Sequence, residues 1–310
     1  MSKLPRDIFI EEIYKAAKKD KDIYFLNADL GAQALDIFRE ELPDQFIHVG
    51  ISEQNMIDVA AGLALEDKKV YVYAMAPFVS LRCYEQIKVT LASMKLPVTV
   101  IAVGVGYSYA PAGPTHYATE DVSCMRALAG IEILNPTDNN SAIHAAKLTF
   151  EQPALRYIRL DRQSLQNVYT ENDPRLDDGF IEIEKGENIC VVAKGVMLQQ
   201  ALKVRESLKA EGINLGVIDA YRIKPIDLSV FTQVLSPYKK IVTLEEHFLS
   251  GGLGSIVAEL MSDLSILKPL KRIGIEDHYY LENGDRNGLH EMTGIDVSST
   301  ASTIRSFVNV

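Results

Sequence analysis

QFIHVGISEQNMIDVAAGLALEDKKVYVYAM, residues 45 to 75, reads as strand, helix, strand, and that order decides the fold. The β-rich runs QFIHVG (45–50) and KVYVYAM (69–75) flank a stretch, 52–66, with helical spacing. Two strands joined through a helix run parallel, in a sheet covered on both faces. The alternation extends outward: DIYFLNAD (22–29) precedes it, and PVTVIAVG (97–104), IEIL (131–134) and ALRYIRL (154–160) follow, with helical spacing at 80–95 and 119–129. The polar DRQSLQNVYTENDPRLDDGF, 161–180, interrupts the pattern and marks a boundary. Beyond it the alternation restarts with NICVVAKG, a helix over 197–211, INLGVIDA, a helix near 227–236, KIVTLEEH and a helix entered through GGLGS. The fold class expected is α/β, with two parallel- or mostly parallel-sheet domains at 1–165 and 181–310 and a linker at 166–180.

At 310 residues the chain suffices for about two domains. Its formal charge of −10 argues against a broad polyanion-binding surface, so small molecules and proteins are the expected partners rather than nucleic acid. No apolar run approaches the roughly 18 residues of a membrane span, and the charged N-terminal stretch lacks the apolar region of a signal peptide. Cys83, Cys124 and Cys190 are scattered and odd in number, which points away from a disulfide framework or a cysteine metal site and toward the cytoplasm.

Glu53 stands out inside the small and apolar run His48 to Leu65. On local grounds it is a first-turn carboxylate favoured by the helix dipole, with Ser52 as N-cap. Against that, Ala60, Ala61, Gly62 and Ala64 suit close approach of another backbone, and a buried carboxylate needs a partner for its charge or its proton.

GISEQNM followed by AAGLA resembles the segment of transketolases and 1-deoxyxylulose-5-phosphate synthases that carries their thiamine-activating glutamate. The likeness runs on through PFVSLRCYEQIKVTLASMKLPV (77–98), GPTH (113–116), RALAGIEILNPTDNNSA (126–142), RYIR (156–159) and TLEEHFLSGGLGS (243–255). It implies a pyrimidine-binding domain followed by a transketolase C-terminal-like domain, with thiamine diphosphate and Mg²⁺ as cofactors. Glu53 then hydrogen-bonds N1′ of the aminopyrimidine and serves as its proton partner. Phe78 matches the ring that stacks on the pyrimidine, and Leu81 and Tyr84 line the same pocket; three-residue spacing places Phe78 and Leu81 near one helical face, with Tyr84 one step further along, and ordinary core is the competing reading for Phe78 and Leu81. His116 matches a histidine that contacts substrate hydroxyls near the reacting carbon. Asp29 matches an aspartate near the cofactor, although a turn role suits it equally. Arg6 and Arg159 match two phosphate-gripping arginines, with surface ion pairs as their alternative.

The sequence departs from the transketolase pattern at Gly104, where a histidine is usual, at Gln33, where a serine is usual, and at Ala112, where an aspartate precedes GPTH. Part of the phosphate grip is thereby missing. GGLGS resembles a phosphate loop, but the resemblance gives it no cofactor role. The G-D-G motif that holds the diphosphate and Mg²⁺ is lacking, since ENGDRNG (282–288) follows no apolar strand, and no oxygen-ligand set for the metal is evident.

The expectation is therefore one half of a naturally split transketolase, moving a two-carbon ketol unit between small sugars or sugar phosphates. A separate N-terminal, diphosphate-binding chain completes it in an α2β2 assembly. Alternatives are synthase-like condensation of a 2-oxo acid, a 2-oxo acid dehydrogenase beta subunit, which GPTH disfavours, and a regulatory or scaffolding paralogue.

Overall fold

In the computed structural model of the protein, which describes residues 3–282 and 284–309, the alternation of strands and helices separates into two units. Residues 1, 2 and 310 of the expected domains, and Asn283 of ENGDRNG, lie outside the described residues. One unit holds the chain up to 105 together with 124–172; the other holds 106–123 and 173 onward. The chain thus leaves its first unit after the fourth strand, and the excursion carrying GPTH folds with the second. The expected boundary at 161–180 carried no hint of that.

The first unit contains α1 (Pro5–Ala17), β1 (Ile23–Asn27), α2 (Gln33–Glu41), β2 (Phe46–His48), α3 (Glu53–Leu65), β3 (Lys69–Met75), α4 (Ala76–Ser80), α5 (Tyr84–Gln86) and β4 (Val98–Val103). After the excursion, α6 (Asp121–Met125) leads back to β5 (Glu132–Leu134), α7 (Asn139–Glu151) and β6 (Arg156–Leu160). Its strands lie in the order β5-β6-β4-β3-β1-β2, every pair parallel. The central β4, VTVIAV, is buried along its whole length, as a strand covered on both faces must be. Phe25, at the middle of β1, packs on Phe38, Phe46 and Tyr71 with ring centroids 5.3, 6.2 and 6.4 Å away, which ties α2 and the sheet edge into one core.

The second unit contains β7 (Ile181–Glu184), β8 (Ile189–Ala193), α8 (Val196–Lys209), β9 (Gly216–Asp219), β10 (Arg222–Lys224), α9 (Leu228–Leu235), β11 (Lys240–Phe248), α10 (Leu253–Asp263), β12 (Leu270–Ile275), α11 (Arg286–Met292) and α12 (Val297–Val308). Among the described residues its five-stranded sheet has the order β12-β11-β8-β9-β7, parallel except for β7, which pairs antiparallel with β9. Two α/β units with mostly parallel sheets are the architecture expected from the alternation.

The helix expected over 80–95 does not form in one piece. Ser80 Oγ donates to the Ala76 carbonyl at 2.5 Å, the Cys83 thiol donates to the Phe78 carbonyl at 3.3 Å, and a π-helical turn follows at Ile87–Ala92. Side chains that bond their own backbone compete with the helix ladder. Phe78, Leu81 and Tyr84 therefore stand on a broken segment rather than on one continuous helical face.

Candidate functional site

In the first unit, Glu53 is the first residue of α3 and is only 4% exposed. Ser52 occupies the N-cap position but does not cap: its hydroxyl donates to the Val49 carbonyl at 2.6 Å. That bond turns the chain into the helix, and the helix start then aims Glu53 inward. Glu53 Oε2 accepts from Arg82 Nη1 at 2.7 Å, while among the described residues Oε1 makes no hydrogen bond. The same guanidinium lies over the half-buried Phe78 ring, 4.3 Å from its centroid. Arg82, whose side chain is 43% exposed, thus touches two of the residues implied to hold the pyrimidine, Glu53 and Phe78. Gln54 Nε2 donates to the Arg82 carbonyl at 3.3 Å and fastens this segment to α3.

Leu81 and Tyr84, both half-buried, flank Arg82 at the turn between α4 and α5. Cys83 is buried next to them, and burial first, then the charge of Glu53, push its thiol up to about 12. It stays protonated and is no nucleophile. Asp29, exposed past the end of β1 at φ +52°, has its carboxylate 3.5 Å from His48 Nε2. Two residues earlier, Asn27 is buried at the carboxyl end of β1, and among the described residues its side-chain Oδ1 has no hydrogen-bond partner. Ligands of parallel α/β sheets bind outside the carboxyl ends of the strands, so Asn27 and Arg82 join the candidate set. Their sequence signal was weak: an Asn at a strand end, and an Arg four residues past Phe78.

Arg6 and Gln33 border one open groove of about 780 Å³ between α1 and α2, so the structure brings together a proposed phosphate ligand and a position that departs from the family pattern. Arg6 Nε donates to Asp7 Oδ1 at 3.0 Å. Arg159 is instead interior, 4% exposed on β6, and donates to Asn135 Oδ1 at 2.8 Å. The exposed guanidinium at that strand end is Arg162.

His116 belongs to the second unit. Its loop leaves at Gly106 and returns at Ala118, which exchange backbone hydrogen bonds of 3.1 and 3.0 Å. Inside it, Tyr107 and Tyr117 meet edge to face at 5.0 Å, and short 3₁₀ turns form at Ala110–Ala112 and Pro114–His116. Gly113 joins them at φ +82°, a left-handed conformation that favours glycine. His116, half-buried, has Nδ1 2.9 Å from Thr115 Oγ1 and its ring 6.1 Å from that of Tyr109.

GGLGS opens α10, and its N-terminus already holds an anion. Glu245 Oε2 accepts from Leu253 N at 2.6 Å and Oε1 from Gly254 N at 2.8 Å. A Cβ on Gly252 would lie 2.2 Å from Glu245 Oε2, so the glycine serves this internal carboxylate rather than a phosphate. Among the described residues no cluster of three or more His, Cys, Asp or Glu side chains could hold a metal, and no helix is long and apolar enough to cross a membrane.

The family described as transketolase, pyrimidine binding domain matches residues 5–167, and the one described as transketolase, C-terminal domain matches 180–299. The chain is 32% identical over 305 residues to an apulose-4-phosphate transketolase subunit of Phocaeicola vulgatus, covering 98% of this chain and 97% of that protein. It is 33% identical over 302 residues to the 1-deoxy-D-xylulose-5-phosphate synthase of Caldanaerobacter subterraneus subsp. tengcongensis, covering 96% of this chain and 48% of that protein. A solved structure described as a split gene transketolase, inactive beta4 tetramer, superimposes with a TM-score of 0.87 at 28% identity, covering 99% of this chain and 98% of that one.

Proposed function

The chain belongs to the transketolase family of transferases, and we propose that it is the pyrimidine-domain subunit of a two-component transketolase dependent on thiamine diphosphate. The observation that carries this is the buried Glu53 at the start of α3, with Oε2 paired to Arg82 and Oε1 uncommitted among the described residues, and with the same Arg82 lying over the Phe78 ring. An uncommitted carboxyl oxygen can share a proton with a ring nitrogen and an aromatic side chain can stack on a flat heterocycle, so the residues present fit an aminopyrimidine.

When bound, thiamine diphosphate supplies the nucleophilic carbon that takes up the two-carbon unit. Glu53 holds or gives up a proton at the pyrimidine N1′ through Oε1. Phe78 offers its ring to the pyrimidine, Leu81 and Tyr84 exclude water at its edge, and Asp29 closes the neighbouring strand end. His116 orients the sugar through its hydroxyls. Of the two arginines implied for the substrate phosphate, we assign the contact to Arg6, open to the groove, and give Arg159 the task of holding the end of β6 through Asn135.

The partner chain supplies the diphosphate and Mg²⁺ site, and α2β2 is the assembly. A separate partner is supported by the Phocaeicola vulgatus relative, which is itself a transketolase subunit and spans the same length. In the functional division 1–165 binds the pyrimidine, 181–310 forms the C-terminal part and 166–180 links them. The compartment is the cytoplasm, which suits Cys83, Cys124 and Cys190, since no disulfide joins them among the described residues.

The test mixes this chain with the diphosphate-binding chain, thiamine diphosphate and Mg²⁺, and follows ketol transfer from a ketose phosphate to an aldose. Activity is expected only with both chains, and Glu53→Gln lowers kcat by about 10²- to 10⁴-fold. Full activity in that variant, or activity without the partner, overturns the assignment. The similarity to 1-deoxy-D-xylulose-5-phosphate synthase gives a second reading, condensation of a 2-oxo acid with an aldehyde, which the same mixture tests with pyruvate as donor.

A further inference from the structure

The run TLEEHFLSGGLGS holds a second carboxylate, Glu246, buried at the end of β11. It accepts from Arg286 Nε at 2.9 Å and Nη2 at 2.6 Å, and is bonded to His290 Nε2 at 2.5 Å. Arg286 and His290 stand on α11, whose start is capped by Asp285 accepting from Gly288 N at 2.8 Å. A bidentate, charge-assisted pair out of water holds its partners in one geometry.

The loop that carries His116 rests on this cluster. Gly106, at φ +57°, comes so close that a Cβ would lie 1.9 Å from Glu246 Oε2, and the buried Tyr107 ring is 6.4 Å from that of His290. The other foot is tied to the following residues: Phe248 N donates to the Thr119 carbonyl at 2.8 Å, and Ser123 Oγ to the Ser250 carbonyl at 2.6 Å. Gly251 is packed so tightly there that a Cβ would meet Ser123 Oγ at 2.7 Å. The loop between the feet is made of 3₁₀ turns rather than regular structure, so its stance follows the surface beneath it.

We propose that Glu246, held by Arg286 and His290, is a positioning residue for the reaction: it seats the 106–118 loop and thereby sets where His116 meets the sugar. This rests on the reading of His116 as a substrate contact. Glu246 touches neither sugar nor cofactor and acts only through the loop. The EEHFLSGG segment, which the cofactor chemistry leaves without a task, is on this view the platform for the substrate histidine.

The experiment uses the two-chain enzyme and the variants Glu246→Gln, His116→Ala and the double variant. Glu246→Gln is expected to raise KM for the ketose phosphate about tenfold, the worth of one lost hydrogen bond, and to speed amide hydrogen exchange across 106–118. Because the effect passes through His116, the double variant should lose no more than His116→Ala alone. Losses that multiply, or exchange in 106–118 unchanged by Glu246→Gln, overturn the proposal. Wild-type kcat/KM in His116→Ala would instead remove the reading of His116 itself, and with it this role for Glu246, even where exchange does speed up. Should Glu246→Gln fail to fold, Ser123→Ala loosens the other foot and is read by the same exchange and the same non-additivity with His116→Ala.

Discussion

Glu53 and Arg82 form a pair of unequal members, a carboxylate 4% exposed and a guanidinium 43% exposed, 2.7 Å apart. Removing the cation leaves the carboxylate buried and unpaired, which costs stability, although exposure of the arginine discounts the loss. Arg82→Met is expected to lower unfolding free energy by about 1 kcal/mol in urea at neutral pH. Against a Glu53→Gln background the same change should cost clearly less, and equal losses in both backgrounds would mean that the pair contributes nothing. The buried setting of Glu53 was legible because a carboxylate in a small-residue run is conspicuous. Its partner was not, because Arg82 reaches it only through the break between α4 and α5, made by Ser80 and Cys83 bonding to backbone carbonyls. Ser52 shows the converse: its place at the N-cap was readable, and the direction of its hydroxyl, toward Val49, was not.

Asp138, ahead of α7, works at the scale of an element. Its Oδ1 accepts from Ser141 N at 2.7 Å, and its Oδ2 from Val168 N at 2.7 Å and Tyr169 N at 2.9 Å, with Asp138, Ser141 and Tyr169 buried and Val168 half-buried. One side chain thus starts a helix and pins the segment after β6. Asp138→Ala should cost about 3 kcal/mol, adding a lost cap to stranded backbone donors, measured as a shift in the urea midpoint. A loss below about 1 kcal/mol would show that water replaces the carboxylate. Strands proved the most legible elements: KVYVYAM is β3 residue for residue, and VTVIAV inside PVTVIAVG is β4. Helical spacing at 80–95 was misleading because Thr90 and Ser93 spend their hydroxyls on the Gln86 and Val89 carbonyls, at 2.7 and 2.5 Å, beside the π turn.

Over the whole molecule, Glu246 makes stability depend on pH in a way that its surroundings fix. Burial pushes its pKa up, but the Arg286 guanidinium and then His290 outweigh burial and hold the carboxyl well below the usual carboxylate range. A folded value below the unfolded one, about 4.3, gives stability that is present above that value and lost as the pH falls beneath it. The gap in unfolding free energy between wild type and Glu246→Gln should therefore stay level from neutral pH to about 5 and narrow below about 4. A gap that widens on acidification would show that the carboxylate is not the charged member of the cluster. The two-unit plan was legible from the alternation of strands and helices. Membership of 106–123 in the second unit was not, since it depends on bonds such as Thr119 to Phe248 between distant parts of the chain, which no local pattern encodes.

A much shorter separation in sequence hides what fills GGLGS. Glu245 sits eight positions before Leu253, inside the preceding strand, and takes the amide hydrogens that a phosphate would seek. A free phosphate arriving at this turn would meet a like charge instead of bare donors. Glycines before a helix thus mark an anion seat without saying whose anion sits there, and in this chain the strand brings its own.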